Sequence, residues 1–332
     1  MILVTGGTGL VGAHLMYHLL VENEKIKAIC RASSNLNLVK RVIGYYTKDV
    51  EVVFNRIEWI ETDITDIYSL DKAFENVSEV YHSAALVSFN PKDYVEMRKI
   101  NIEGTSNIVN LCIDHKIKKL CFVSSIATIE KSVNNAIIDE EGEWNPEVNN
   151  YGYAITKYGA ELEVWRASQE GVDVVIVNPG VILGAGFWHQ GTGSLFSKVK
   201  NGLKFYTEGI TGFVSVNDVV KAMIQLMKSD IKNERFILVS ENCSFKDVFC
   251  LMAEGFSLKK PTIKVTKLMS SVGWRLDKMR AMLTGKPPVL TKQSSKSIHN
   301  KYCYSSEKIK KTLKFEFEPV SKTITRVCNL YK

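Results

Sequence analysis

No stretch of about 18 uninterrupted apolar residues, the length a spanning helix needs, occurs in this sequence; even Val172–Trp188 is broken by Asp173, Asn178 and Pro179. A transmembrane segment is therefore not expected. The seven cysteines, Cys30, Cys112, Cys121, Cys243, Cys250, Cys303 and Cys328, are odd in number, scattered and free of any C-x-x-C pair. That excludes a disulfide framework and fits packed or idle thiols in a reducing compartment. No structural metal is required, and no metal site is expected. Proline is sparse, with 7 against 21 glycines in 332 residues, while 45% of residues are hydrophobic and 24% charged. Disorder and collagen-like repetition are excluded, and the length suffices for a large core. The N-terminus Met1-Ile2-Leu3-Val4 already reads as a buried strand with a glycine turn directly behind it, so no leader is expected and the expected location is cytoplasmic.

Negative charge is scarce at one end. The net charge of +7 hides an imbalance, because residues 255–332 carry 18 Lys and Arg against 4 Asp and Glu. Within that segment Leu268, Val272, Leu276, Met279 and Leu283 share one helical face, with Arg275, Lys278 and Arg280 elsewhere. The favoured reading is a helix covering a substrate lobe with its cations solvated. A membrane-surface helix over 268–283 fits the same pattern, whereas no nucleic-acid-binding module is recognisable and no nucleic-acid partner is expected.

The first 130 residues alternate strand-like runs (Ile2–Val4, Ile26–Cys30, Ile57–Glu61, Glu79–His82, Lys119–Val123) with helical patterns near Val11–Leu20, Ser69–Phe74 and Ile102–Asp114. Strict alternation implies right-handed crossovers and a doubly wound, Rossmann-type parallel sheet of the α/β class. A long helical pattern from Tyr151 to Ala167 and the strand Val172–Val177 continue it; helix Val216–Lys228 and strand Phe236–Ser240 return to it. Residues 184–212, rich in glycine and aromatics without clear periodicity, read as an irregular or mobile substrate-facing region. The expected division is a dinucleotide-binding unit over 1–183 with 213–240 returning to it, and a smaller, mainly helical substrate lobe from 184–212 and 241–332.

Thr5-Gly6-Gly7-Thr8-Gly9-Leu10-Val11-Gly12 follows the first strand directly and opens a helix. Gly6 permits the tight turn, Gly9 lets backbone approach a pyrophosphate and Gly12 lets helix and strand pack closely; the helix N-terminus offers N–H donors. The second strand ends Cys30-Arg31-Ala32-Ser33-Ser34 with no acid to hold the adenosine ribose. Arg31 can pair with a 2′-phosphate and Ser33 can donate a hydrogen bond, so NADP is favoured over NAD.

Tyr153 and Lys157 stand four apart on one helical face. A fixed ammonium near a phenol is expected to lower its pKa, fitting Tyr153 to exchange a proton with a substrate oxygen while Lys157 also reaches the nicotinamide ribose. The strand Leu120–Val123 ends in Ser124-Ser125 at the carboxyl edge of the sheet. Ser125 is assigned to hold and polarise a carbonyl, and Ser124 to cap the turn.

With these motifs in view, the chain resembles an extended short-chain dehydrogenase/reductase of the epimerase/dehydratase superfamily. Asp63-Ile64 resembles the family's adenine contact. His82-Ser83-Ala84-Ala85 resembles its cofactor-lining H-x-A-A segment, Asn101-Ile102-Glu103-Gly104-Thr105 its N-x-x-G-T helix, and Phe213–Val219 its F-V-x-V-x-D-V segment. Asn178-Pro179-Gly180, followed by Val181, resembles the R-P-G turn beside the nicotinamide, with asparagine in place of arginine. The resemblance also implies a water relay supported by Asn101, and a homodimer through the helices containing Ile102–Asp114 and Tyr153–Ala167. Dehydratases of this type carry Asp-Glu after the catalytic Ser or Thr, where Ile126-Ala127 stands here. The pattern is closer to the dihydroflavonol-reductase and 3β-hydroxysteroid-dehydrogenase branch, and implies a hydride transfer between nicotinamide and a small carbonyl or secondary alcohol. A nucleotide-sugar epimerase using NAD, or a dinucleotide-binding regulator without turnover, remain as alternatives. Phe89, Phe187, Trp188, Phe205, Tyr206 and Phe213 are candidates for an apolar pocket, at least half of them expected in the core.

Overall fold

The computed structural model of the chain describes residues 1–130, 137–146, 151–285, 288 and 290–331. Its strands are β1 (Ile2–Thr5), β2 (Ile26–Cys30), β3 (Ile57–Glu61), β4 (Glu79–His82), β5 (Lys119–Val123), β6 (Asp173–Pro179), β7 (Val181–Leu183), β8 (Phe205–Tyr206), β9 (Ile210–Ser215), β10 (Glu234–Leu238), β11 (Glu241–Ser244) and β12 (Ile263–Lys264). Its helices are α1 (Leu10–Glu22), α2 (Leu36–Ile43), α3 (Val50–Phe54), α4 (Ile67–Asp71), α5 (Tyr94–Arg98), α6 (Gly104–Asp114), α7 (Gly152–Gln169), α8 (Gly193–Lys200), α9 (Val216–Lys228), α10 (Phe245–Gly255), α11 (Lys267–Thr284), α12 (Lys292–Ser297), α13 (Glu307–Leu313) and α14 (Val320–Leu330).

Seven strands form one sheet in the order β3-β2-β1-β4-β5-β6-β10, every neighbouring pair parallel. Alternate residues of each strand face opposite layers, as the pleat dictates. Val4, Ala28, Cys121 and Val175 meet Ala13, Leu15 and Met16 of α1 and Val219, Met223 and Leu226 of α9. Leu3, Val80, Leu120 and Ile176 meet Ile108 and Leu111 of α6 and Ala160 and Val164 of α7 on the other face. Burial on both faces explains why these strands read as continuous apolar runs. The sheet order reverses between β1 and β4, so their carboxyl ends open a crevice there.

A second sheet, β11-β9-β7, packs with α8, α10 and α14 around Phe196, Phe213, Met252 and Ile324. Here three expectations are corrected. Residues 184–212 are not irregular throughout: they contain α8 and β8, and Phe187 and Trp188 are buried core residues. Glycine hides that order from periodicity, because Gly186 sits at φ 110° and a Cβ on Gly193 would lie 2.1 Å from the Phe187 carbonyl oxygen. Helices α2 and α3, with Val39, Val42 and Ile43 buried, fill a stretch left without an element in the sequence reading. The strand expected over Phe236–Ser240 lies two residues earlier.

A further correction concerns α11. Its side toward the protein is polar: Ser270 pairs with His299 Nε2 at 2.9 Å and Asp277 accepts from the Leu290 N–H at 2.8 Å. The stripe from Leu268 to Leu283 is exposed, so it does not cover a lobe. All seven cysteines are free. No helix among the described residues is long and apolar enough to cross a membrane.

Candidate active site

The glycine turn forms the floor of the crevice. Gly6 has φ 71°, and a Cβ there would stand 2.5 Å from the Ala84 nitrogen, so strand ends β1 and β4 can meet only with glycine at this point. At Gly12 an added Cβ would lie 2.2 Å from the Gly6 carbonyl oxygen, which fixes how closely α1 approaches β1. Gly9, the N-cap of α1, brings no capping side chain and the first turn holds no acid, so the N–H groups from Leu10 and Val11 are left for an anion. This bare cradle fits the pyrophosphate of a dinucleotide.

Around it, Thr5 Oγ1 lies 2.5 Å from His82 Nδ1, and Ser83 Oγ donates to the Thr5 carbonyl at 2.8 Å. His82 Nε2 is 2.9 Å from Thr105 Oγ1, which donates to the Asn101 carbonyl at 2.6 Å. Burial holds the His82 imidazole neutral, with its pKa lowered to about 3. Thr8 is half-buried and Ala85 exposed at the rim. Asp63 Oδ1 is occupied by the Thr65 N–H and hydroxyl at 2.9 and 2.8 Å, and the Ile64 carbonyl accepts from Asn107 at 2.9 Å. At the end of β2, Arg31 is exposed and its guanidinium has no hydrogen bond or ion pair among the described residues; its N–H donates to Ser34 Oγ at 3.0 Å, and Ser33 is exposed beside it. Pro179 is buried at the end of β6, half-buried Gly180 donates its N–H to the Leu238 carbonyl at 3.0 Å, and Val181 begins β7.

Ser125 follows β5. Its hydroxyl accepts from the Ala127 N–H at 3.1 Å, capping the short turn Ile126–Thr128, and stands beside the Tyr153 phenol. Burial raises the Tyr153 pKa; the Ser125 contact offsets part of that rise. The expected lowering by Lys157 is corrected: burial sets the direction, and Lys157 is not among the groups that oppose it. The Lys157 ammonium instead donates to the Val123 carbonyl at 2.7 Å, sits 4.1 Å over the Phe122 ring, and is pushed down to about 7 by burial, with Glu161 acting in the opposite direction.

Asn101 sits in a π-type bulge, Lys99–Glu103, that turns its side chain inward. Its amide is tied on both sides: Oδ1 accepts from the Leu86 N–H at 2.7 Å, and Nδ2 donates to the Leu86 carbonyl and to Thr156 Oγ1, both at 3.0 Å. It clamps the segment after β4 to α7.

Ser124 does not cap the turn. Its hydroxyl donates at 2.6 Å to Glu161 Oε2, which also accepts from Thr128 at 2.9 Å and Asn178 Nδ2 at 3.0 Å, while Arg235 stands 3.3 Å from Glu161 Oε1. Asn178 thus turns away from the crevice into a buried network behind the site. The sequence reading missed Glu161 although its position four residues after Lys157 was visible.

An apolar cavity of about 280 Å³ adjoins the start of α7, lined by Phe89, Pro91, Tyr94, Met97, Tyr151 and Ile155 with Gln293 from α12. Tyr151 stacks on Phe89 at 5.6 Å and has its ring 6.1 Å from that of Tyr153. Phe187, Trp188 and Phe213 are core residues, and Phe205 is exposed.

Residues 4–244 match the family model described as male sterility protein. The chain belongs to that family, among the extended short-chain dehydrogenases/reductases. It is similar to the anthocyanidin reductase of Arabidopsis thaliana, 26% identical with 82% of this chain and 89% of that protein covered. The sterol demethylase protein B of Methylococcus capsulatus is likewise 26% identical, with 81% and 79% covered. Among solved structures, UDP-glucose 4-epimerase of Thermotoga maritima with UDP-glucose has a TM-score of 0.77 at 20% identity, covering 99% of this chain and 97% of that one, a likeness of fold alone. The doubly wound sheet and the NAD(P)-binding oxidoreductase family expected from the motifs are thereby established.

Proposed function

We propose that this short-chain dehydrogenase/reductase is an NADP-dependent carbonyl reductase acting on a small apolar aldehyde or ketone, or on the corresponding alcohol in reverse. The observation that carries the reading is the placing of Ser125, at the carboxyl edge of β5, beside Tyr153, with Lys157 one turn along α7 donating to the Val123 carbonyl at 2.7 Å. Gly6, Gly9, Gly12 and the first turn of α1 would hold the pyrophosphate; Arg31 and Ser33 the adenosine 2′-phosphate; Asp63 and Ile64 the adenine; Ala84, Ala85, Pro179, Gly180 and Val181 the nicotinamide half. When bound, the dinucleotide supplies the hydride.

The protein's own part is positioning and proton transfer. Ser125 holds the substrate oxygen, Tyr153 gives it a proton as charge develops there, and Lys157, with a pKa of about 7, can restore the phenolic proton. The cavity beside Tyr151 suits an apolar body. Ile126 and Ala127 offer no acid and base for water loss.

The test is NADPH consumption by the purified chain with a panel of aryl and alkyl aldehydes and ketones. A substrate should be found, and Tyr153→Phe should lower kcat/KM on it by roughly 10²–10⁴-fold while leaving dinucleotide affinity unchanged. An unchanged rate in that variant would remove Tyr153 from the chemistry.

A further inference from the structure

Helix α11 is built inside out for a soluble protein. Its protein-facing side is tied down by polar bonds, Ser270 to His299 and Asp277 to the Leu290 N–H. The opposite side carries Leu268, Val272, Leu276, Met279 and Leu283 at helical spacing, with Met282 beside them. All six are exposed, from Val272 at 49% to Leu283 at 85%. Scattered exposed apolar residues are ordinary, but a continuous stripe along 18 residues marks an interaction surface.

Charge selects the occupant. Residues 259–301 hold eleven Lys and Arg against Asp277 alone, whereas residues 1–254 are net acidic. Arg275 and Lys278 flank the stripe on one side and Arg280, paired with Asp277, on the other. Arg275 is held over the Trp274 ring at 4.6 Å. A second copy would bring two cationic borders together, which is unfavourable, and a nucleic acid offers nothing for about five turns of apolar side chains to enter. A bilayer with anionic headgroups satisfies both features, apolar side chains entering the acyl boundary and cations meeting phosphates. The helix is too polar to span one.

We propose that α11 docks this protein on the surface of an anionic lipid bilayer, lying in the interface plane. The proposal does not depend on the reductase reading, since it concerns a face other than the crevice.

The full chain is mixed with phosphatidylcholine vesicles and with phosphatidylcholine/phosphatidylglycerol vesicles and floated on a density gradient. It should float with the anionic vesicles, and the double variant Leu276→Glu/Met279→Glu should lose at least about tenfold in vesicle affinity. Arg275→Ser/Lys278→Ser should weaken binding as added salt does. All four side chains are exposed or on the surface, and an unchanged melting temperature and dinucleotide affinity establish that the variants are folded. No flotation with anionic vesicles, or equal flotation of the Glu variant, overturns the proposal. So does a concentration-dependent dimer that the Glu variant dissociates, since a second copy then covers the stripe.

Discussion

Glu161 Oε2 and Ser124 Oγ are 2.6 Å apart in the buried layer behind the candidate active site. The same carboxylate takes hydrogen bonds from Thr128 and Asn178 and faces Arg235, which also donates to the carbonyls of Glu140 and Gly142. Glu161 therefore joins the end of β5, the end of β6 and β10 beneath Ser125. Its charge also supports the charged form of Lys157, one turn earlier on α7.

Removing that carboxylate should act twice. Glu161→Ala strips a buried charge pair of one partner and is expected to cost about 3–5 kcal/mol in denaturant unfolding. Glu161→Gln keeps hydrogen-bonding capacity and should cost less, yet without the negative charge Lys157 loses its proton at still lower pH. Its pH–rate profile for carbonyl reduction should shift its alkaline limb downward. A limb that stays in place would separate Glu161 from Lys157 electrostatically.

The glycine turn gives a steric prediction. At Gly12 the obstacle to a Cβ is the Gly6 carbonyl, backbone at 2.2 Å that cannot swing aside. Gly12→Ala should push α1 from β1, cost about 1–3 kcal/mol and abolish dinucleotide binding by calorimetry. Gly273→Ala in α11 is the contrast, meeting only Leu290 Cδ2 at 3.4 Å. Gaining helix propensity there, it should stabilise by up to about 1 kcal/mol.

Acid stability should depend on His14. Its Nε2 lies 3.0 Å from the Ala185 carbonyl oxygen and its Nδ1 2.5 Å from the Tyr46 hydroxyl, and burial lowers its pKa to about 4 from an ordinary 6.5. The unfolded chain protonates this ring first as pH falls, so the stability it contributes is complete above pH 6.5 and is lost progressively down to about pH 4. His82, lowered to about 3, acts in the same direction; Asp218, raised to about 6 by burial, opposes both between pH 3.8 and 6. Urea melts of His14→Gln and the parent should therefore differ in slope by roughly 1 kcal/mol per pH unit between pH 6 and 4.5. Parallel curves would mean that His14 is not held neutral.

How far these features could be read beforehand depended on whether their cause was local. The five N-terminal strands stand within a residue of their expected bounds, because apolar runs cut by glycine and polar turns are local signals. Gly6, Ser125, Tyr153 and Lys157 were legible for the same reason. The Glu161 network was not, since Arg235 and Asn178 reach it only through the order of strands β5, β6 and β10. Nor could periodicity orient α11: an apolar stripe is the same in sequence whether it meets a core or water, and only the inward bonds of Ser270 and Asp277 decide.

Cofactor preference rests on the end of β2, where position 31 either repels a 2′-phosphate as a carboxylate would or accepts one. Arg31 stands exposed there, its guanidinium unpaired among the described residues, so its fork of donors is available without breaking any existing bond. Calorimetric titration should find NADP bound at least about tenfold more tightly than NAD, about 1.4 kcal/mol, and Arg31→Ala should erase that margin while leaving NAD affinity nearly unchanged. The pattern matters more than the loss: a variant weakened equally toward both dinucleotides would point to adenine stacking rather than phosphate pairing. Equal affinities in the parent would leave Arg31 as a solvated surface residue, and screening for epimerisation of nucleotide sugars would then take precedence over carbonyl reduction.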